Sequence, residues 1–276
     1  MTFTATKHHD TYDRLSPSRP EVSAKGKHVV ITGGGAGIGK SITRSFAQAG
    51  AASILITGRT EQRLAETKVA LEKEFPQTLF KYKTADISNP ADTEAALAGV
   101  EGGIDILVAN AAYLPEGRLI KETEADDWFK GLDINVKGSV GVAKSFLKYA
   151  NEEAVLIHLA TAATHMPPIA RFSGYVVSKL AQQRLFEFLQ VENPQYQIIG
   201  VHPGVVESEM NTKASDWTPV DSATLPADFI VWAASSEAEF LKGRTVWANW
   251  DIDELKAKKD EILSDPTMLT HVFKGI

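Results

Sequence analysis

Two residues able to move a proton together stand four apart in the segment Ser173-Gly174-Tyr175-Val176-Val177-Ser178-Lys179. On a helix that spacing puts Tyr175 and Lys179 on one face. A free phenol has a pKa of about 10 and holds its proton at neutral pH. A neighbouring ammonium favours the phenolate and lowers that value, so the tyrosine becomes able to give or take a proton at a reacting oxygen. This pair needs a scaffold that fixes the helix against a cleft.

The rest of the chain predicts such a scaffold. Short β-branched runs recur at 28–32, 52–57, 78–85, 104–110, 153–160, 196–202 and 243–249. Longer segments with helical periodicity separate most of them, such as KSITRSFAQAG and TEQRLAETKVALEKEF. Short buried runs alternating with amphipathic helices predict an α/β fold: one doubly wound, Rossmann-type domain on a mostly parallel sheet of about seven strands. Ligands of such sheets bind beyond the carboxyl ends of the strands, where the strand order reverses. Residues 1–26, with Pro17, Pro20 and many polar side chains, read as an irregular arm; His8 and His9 within it are expected to be solvated. The domain is expected to span 27–276. It would include a polar connection at 209–225 acting as a substrate lid, and an amphipathic helix at 253–263.

Composition removes several alternatives. The chain has 276 residues, a net charge of -6 and no cysteine, so disulfides, thiolate nucleophiles and Cys-based metal sites are excluded. No His-based ligand spacing predicts a metal site. There is no basic stripe for nucleic acid, no signal-peptide core and no apolar run long enough for a bilayer. A cytoplasmic protein is the expectation.

After the first run comes Thr32-Gly33-Gly34-Gly35-Ala36-Gly37-Ile38-Gly39, and then a helix. Glycines let backbone approach a ligand closely, and the free N–H groups at a helix start suit a pyrophosphate. This predicts a dinucleotide on Gly33, Gly35, Gly37, Ile38 and Gly39. The second run ends in Thr57-Gly58-Arg59-Thr60. Sites specific for NAD usually carry an acid there to bond the ribose 2′-OH. Here Gly58 stands in its place, followed by Arg59, whose planar fork suits a 2′-phosphate. NADP(H) is therefore expected over NAD(H).

The turn resembles the Thr-Gly-x-x-x-Gly-x-Gly of the short-chain dehydrogenase/reductase family, and Tyr175-x-x-x-Lys179 is similar to its catalytic pair. The resemblance covers roughly 27–250. It looks closest to a fungal subgroup, through Ser16-Pro17-Ser18-Arg19-Pro20-Glu21, Val201-His202-Pro203-Gly204 and Gly243–Asp251. It implies that Tyr175 is the general acid/base and that Lys179 binds the nicotinamide ribose. It implies that Asn135 holds a relay water, and that Asp86, Ile87, Asn110 and Ala111 contact the cofactor. Pro203, Val206 and Ser208 would follow the nicotinamide. The family's serine is missing; Thr161 is the best match, fourteen residues before Tyr175, with Thr164 second. The resemblance further implies a homodimer or homotetramer through helices in 124–150 and 175–192.

A rim of Tyr113, Leu114, Met166, Pro167, Pro168, Ile169, Met210 and Trp217 predicts a bulky, apolar or aromatic substrate. The leading expectation is interconversion of a carbonyl and a secondary alcohol, by analogy in fungal secondary metabolism. The missing serine leaves open an isomerase, dehydratase or cyclase on the same site. A non-catalytic cofactor binder is the third reading.

Overall fold

The computed structural model describes residues 3–208 and 218–272. Seven strands form one parallel sheet: β1 (His28–Thr32), β2 (Ser53–Gly58), β3 (Leu79–Thr84), β4 (Ile104–Ala109), β5 (Ala150–Leu159), β6 (Gln197–His202) and β7 (Thr245–Trp247). Their spatial order is β3-β2-β1-β4-β5-β6-β7, so the chain winds outward from β1 in one direction and then in the other. The reversal lies between β1 and β4, whose Val30 and Leu107 pair in register. Each apolar run foreseen in the sequence supplies one strand.

Helices α1 (Gly37–Gln48), α2 (Glu61–Glu74), α3 (Pro90–Leu97), α4 (Ala125–Leu132), α5 (Gly138–Tyr149), α6 (Ser173–Glu192), α7 (Thr224–Ala233), α8 (Ile252–Ala257) and α9 (Lys259–Ser264) cover the sheet. Side chains alternate across each strand; the inner strands β1, β2 and β6 are buried on both faces, which explains why they read as largely apolar runs, whereas the edge strand β3 buries Phe80 and leaves Leu79 and Lys83 exposed. On one face Val29, Ile31, Ile54, Ile56 and Ile199 join Phe46 of α1 and Trp232 of α7. On the other, Val30, Leu55, Leu107 and Leu156 join Phe146 of α5 and Phe186 of α6.

Three expectations are corrected. The amphipathic segment at 253–263 is two helices, α8 and α9, broken at Lys258 (φ −92°, ψ 9°) while Leu255 and Ile262 both stay buried. The polar connection foreseen to 225 ends earlier, because α7 starts at Thr224. His8 and His9 are not simply solvated: His8 Nε2 lies 2.9 Å from an Asp251 carboxylate oxygen and its ring stacks on Tyr12, while His9 Nδ1 reaches Asp221 at 2.6 Å. The arm lies along its own domain, with Leu15 and Val22 buried in the core. No helix among the described residues is long and apolar enough to cross a membrane.

Candidate active site

The carboxyl ends of β1, β2, β4, β5 and β6 open into one cleft of about 570 Å³. Its floor is the turn from β1 to α1. Gly33, Gly35, Gly37, Ile38 and Gly39 all line it. The residue before α1, Ala36, has no side-chain acceptor, so no cap takes up the first N–H groups of the helix. A Cβ at Gly39 would fall onto the carbonyl oxygen of Gly33 and lie 2.7 Å from Asn110 Nδ2, so only glycine lets helix and strand meet here. Asn110 ties this turn to β4: its amide donates to the Thr32 carbonyl at 2.9 Å, and the Thr32 hydroxyl accepts from the Ala111 N–H at 3.0 Å.

One end of the cleft is basic. Thr57, Gly58 and Arg59 line it after β2, and Arg63 from the first turn of α2 joins them. Asp86 and Ile87, after β3, form the adjoining wall. Burial tends to raise the Asp86 carboxyl, but hydrogen bonds from Ser88 N–H and Oγ, together with the Arg59 charge, hold it below the usual carboxylate value. This end presents cationic forks and no acid from β2, while the floor presents backbone donors. That chemistry fits the phosphates of a dinucleotide.

The other end holds the tyrosine and lysine singled out in the sequence. Tyr175 and Lys179 both face the cleft from α6. Burial pushes the Tyr175 phenol up to about 12, while a hydrogen bond from the Thr161 side chain pulls it down. The sequence argument expected a lowered phenol; on the protein alone, burial has the larger effect. Thr161 is buried at the end of β5, and its contact with the phenol sets it above Thr164. The Thr164 hydroxyl donates instead to the Thr161 carbonyl at 2.8 Å.

Lys179 is buried, and burial lowers its ammonium to about 7. Among the described residues no carboxylate pairs with it. Its Nζ donates to the Leu159 carbonyl at 2.6 Å and to Gln182 Oε1. Gln182 in turn donates to Ser139 Oγ at 2.7 Å, and Ser139 donates to the Asn135 carbonyl at 2.6 Å. A row of protein groups thus connects Lys179 to Asn135. Asn135 does not line the cleft. It is fully buried in a π-helical turn, Asp133–Lys137, between α4 and α5. Its side chain donates to the Tyr113 carbonyl at 2.8 Å and to Ser178 Oγ at 2.9 Å, and accepts from the Tyr113 N–H at 2.7 Å. The wide turn lets one helical residue serve both the cleft wall and α6.

Beyond β6, Pro203 and Ser208 line the cleft, whereas Val206 is buried behind it and pairs with Asp221. Of the foreseen rim, Tyr113 and Leu114 line the cleft, while Ile169, like Tyr175 and Val176, packs against the cluster of Leu114 and Phe172. Met166, Pro167 and Pro168 are exposed. Met210, Trp217 and most of the foreseen lid lie outside the described residues.

The sequence model of the short chain dehydrogenase family matches residues 27–219. The chain belongs to the short-chain dehydrogenase/reductase family. A short chain dehydrogenase/reductase of Claviceps purpurea is 32% identical over 97% of this chain and 92% of the relative. The protein AacuD of Aspergillus aculeatus, also named a short chain dehydrogenase/reductase, is 33% identical over 97% and 95%. Among solved structures, a Burkholderia cenocepacia short chain dehydrogenase in complex with NADP superposes with a TM-score of 0.74, covering 83% of this chain and 99% of that one at 22% identity. L-sorbose reductase of Gluconobacter frateurii, complexed with NADPH and L-sorbose, has a TM-score of 0.73 at 23% identity over 82% and 96%.

As a short-chain dehydrogenase/reductase, the protein is an oxidoreductase acting on CH–OH groups with a nicotinamide dinucleotide as acceptor. Sequence reasoning missed Arg63, Gln182, Ser139 and Asp221. Arg63 had a visible signal, a second arginine shortly after Arg59 in the first turn of the next helix. So did Gln182, a polar residue three positions after Lys179 on the same helix face.

Proposed function

We propose that this enzyme uses NADP(H) to interconvert a carbonyl and a secondary alcohol on a bulky, largely apolar or aromatic molecule. The observation carrying this reading is the contact of Thr161 with Tyr175 at the end of the cleft that begins at the glycine turn. A dinucleotide bound there supplies or accepts the hydride. The N–H groups of the turn and α1 would hold its pyrophosphate, and Asp86, Ile87, Asn110 and Ala111 would flank its adenosine half. Arg59 and Arg63 favour a 2′-phosphate. Pro203 and Ser208 would border its nicotinamide, with Val206 behind them.

Thr161 orients the substrate oxygen by its hydroxyl, and Tyr175 transfers the proton. Lys179 binds the ribose and places positive charge near the phenol, opposing the effect of burial. Asn135 acts through structure: it fixes Tyr113 and the start of α6, and its carbonyl ends the row from Lys179. The apolar cluster of Leu114, Ile169, Phe172 and Val176 beside Tyr175 supports an apolar substrate. The fungal origin of the relatives is the analogy on which a role in secondary metabolism is proposed.

A second copy of this chain is the proposed partner. Val177, Leu180, Phe188 and Val191 make one exposed apolar stripe on α6, with Val191 80% exposed, and Val140 and Leu147 extend it on α5. Light scattering measures the resulting mass.

Tyr175→Phe tests the chemistry. Turnover on a carbonyl panel should fall by at least about 100-fold, while fluorescence titration gives wild-type NADPH affinity. Undiminished turnover overturns the assignment. A tenfold catalytic preference for NADH overturns the cofactor choice.

A further inference from the structure

The turn after β6 is held by residues far from it in sequence. Gly204 sits at φ +84°, and a Cβ there would run into Asp221 Oδ2. That oxygen accepts from the Val205 N–H at 2.6 Å. The Val205 carbonyl accepts from the N–H groups of Val220 and Asp221, at 3.0 and 3.2 Å. Both backbone groups of Val205 are therefore fixed by residues 220–221. Pro203 and Ser208 line the cleft on either side of this turn.

The Asp221 carboxylate is 2% exposed, and its position depends on its other oxygen. Oδ1 accepts from Asn249 Nδ2 at 2.8 Å and from His9 Nδ1 at 2.6 Å. Facing a carboxylate, Nδ1 must carry the hydrogen, as it does in the imidazolium and in one neutral tautomer. The arm is registered against this point by its backbone: the His9 carbonyl accepts from the Ser222 N–H at 2.8 Å, and the His8 carbonyl accepts from Asn249 Nδ2 at 2.9 Å. Residues 1–26, where His9 lies, precede the stretch matched by the family model.

We propose that the N-terminal arm is part of the cofactor site, and that His9 and Asp221 are positioning residues for its nicotinamide side. The chain of contacts runs from His9 through Asp221 to the Val205 N–H, and so to the wall between Pro203 and Ser208. A carboxylate with both oxygens engaged has one orientation; without His9, Oδ1 keeps Asn249 alone, and the carboxylate is held less firmly and lets the turn relax. The inference rests on the cofactor reading above and deepens it.

The test compares two probes on the full chain. One is NADPH; the other is the adenosine bisphosphate that carries the 2′-phosphate but no nicotinamide. His9→Ala should weaken NADPH binding and raise its KM roughly 5- to 10-fold, as expected for loss of a charge-assisted hydrogen bond acting indirectly. Affinity for the bisphosphate should stay within about twofold of wild type, because that half lies at the opposite end of the cleft. His9→Asn, whose amide nitrogen takes the place of Nδ1, should recover most of the loss. Asp221→Asn should show a larger defect of the same kind, since its amide N–H group must then face either the Val205 N–H or the Asn249 and His9 donors. His9 is 59% exposed on its side chain, so its variants should fold, and circular dichroism checks this.

Equal affinities of wild type and His9→Ala for NADPH overturn the inference. So does equal loss for both probes, which would mark a general structural role, and so does failure of His9→Asn to recover binding. If wild type binds neither NADPH nor NADH, the cofactor reading itself fails; if it binds and His9→Ala matches it, only the arm proposal fails.

Discussion

Lys179 is a buried cation whose charge depends on neutral acceptors, and Gln182 supplies one of them. Replacing Gln182 by Leu keeps bulk and removes that acceptor. The sign follows from which protonation state the contact serves. Gln182 Oε1 and the Leu159 carbonyl accept hydrogen bonds from the ammonium, so both favour the charged form; burial opposes it and brings the group to about 7. Among the described residues, the other titratable groups near the amine offer no compensating negative charge. Tyr175 on the same helix is held neutral by burial, and His158 on β5 has its proton affinity reduced by burial and by the Lys179 charge.

A hydrogen bond to a charged group contributes about 1.5–3 kcal/mol. One pKa unit corresponds to about 1.4 kcal/mol, so Gln182→Leu should move Lys179 down by roughly 1–2 units. Near pH 7 about half of the wild-type lysines are charged, against roughly one-tenth to one-hundredth in the variant. The assay is the pH dependence of NADPH affinity and of turnover. Affinity and the rate of carbonyl reduction should fall as pH rises through the lysine midpoint, and in Gln182→Leu that fall should begin at lower pH. Gln182→Glu, placing a carboxylate beside the ammonium, should move the midpoint above wild type. Ser139→Ala leaves the Gln182 acceptor in place but removes its anchor, and should give a smaller downward shift. A Leu variant whose midpoint coincides with wild type would refute the reasoning, as would a Glu variant that moves the same way as Leu.

Thr161→Val removes the hydroxyl beside the phenol at constant shape; turnover should fall by about 100-fold or more, with Thr161→Ser close to wild type. Since the Thr161 contact lowers the phenol, the Val variant should also shift the rise of alcohol oxidation to higher pH. Arg59→Ala should weaken NADPH by roughly 10- to 100-fold and leave NADH unchanged; equal losses for both would remove Arg59 from the 2′-phosphate. Gly39→Ala must part α1 from the Gly33 carbonyl, and should abolish measurable dinucleotide binding while costing about 1–3 kcal/mol in thermal unfolding.

The features visible in the sequence are those with a local cause. Inner strands buried on both faces need largely apolar runs, and the edge strand β3 still alternates Phe80 and Tyr82 with Lys81 and Lys83, so each of the seven could be found from its own residues. The glycine turn is likewise legible, because its sterics act between near neighbours and one adjacent strand. What escaped depends on contacts distant in sequence. Nothing local to His9 shows that it meets Asp221 across 212 positions, and a polar tail with two histidines reads as solvated until that partner is known. Gln182 and Ser139 are separated by 43 positions, and become a support for Lys179 only when α5 and α6 pack together. The π-helical turn at Asn135 is a third case, since helical periodicity reports a helix but not one widened turn within it.

The parts of the site differ in the same way. The cofactor floor is built by short-range geometry and can be read from a motif. The environment that sets proton affinities at Tyr175 and Lys179 is built by burial and by long-range neighbours. A phenol expected from its neighbouring lysine to be acidified is instead pushed up to about 12 by the protein around it. Charge supplied by Lys179, and the acceptors that keep that lysine charged, must therefore offset burial before Tyr175 can exchange a proton near neutrality. This makes Gln182 a sharper test of the mechanism than Tyr175 itself. Removing the phenol shows only that it is needed, whereas moving the lysine midpoint shows how its proton is controlled.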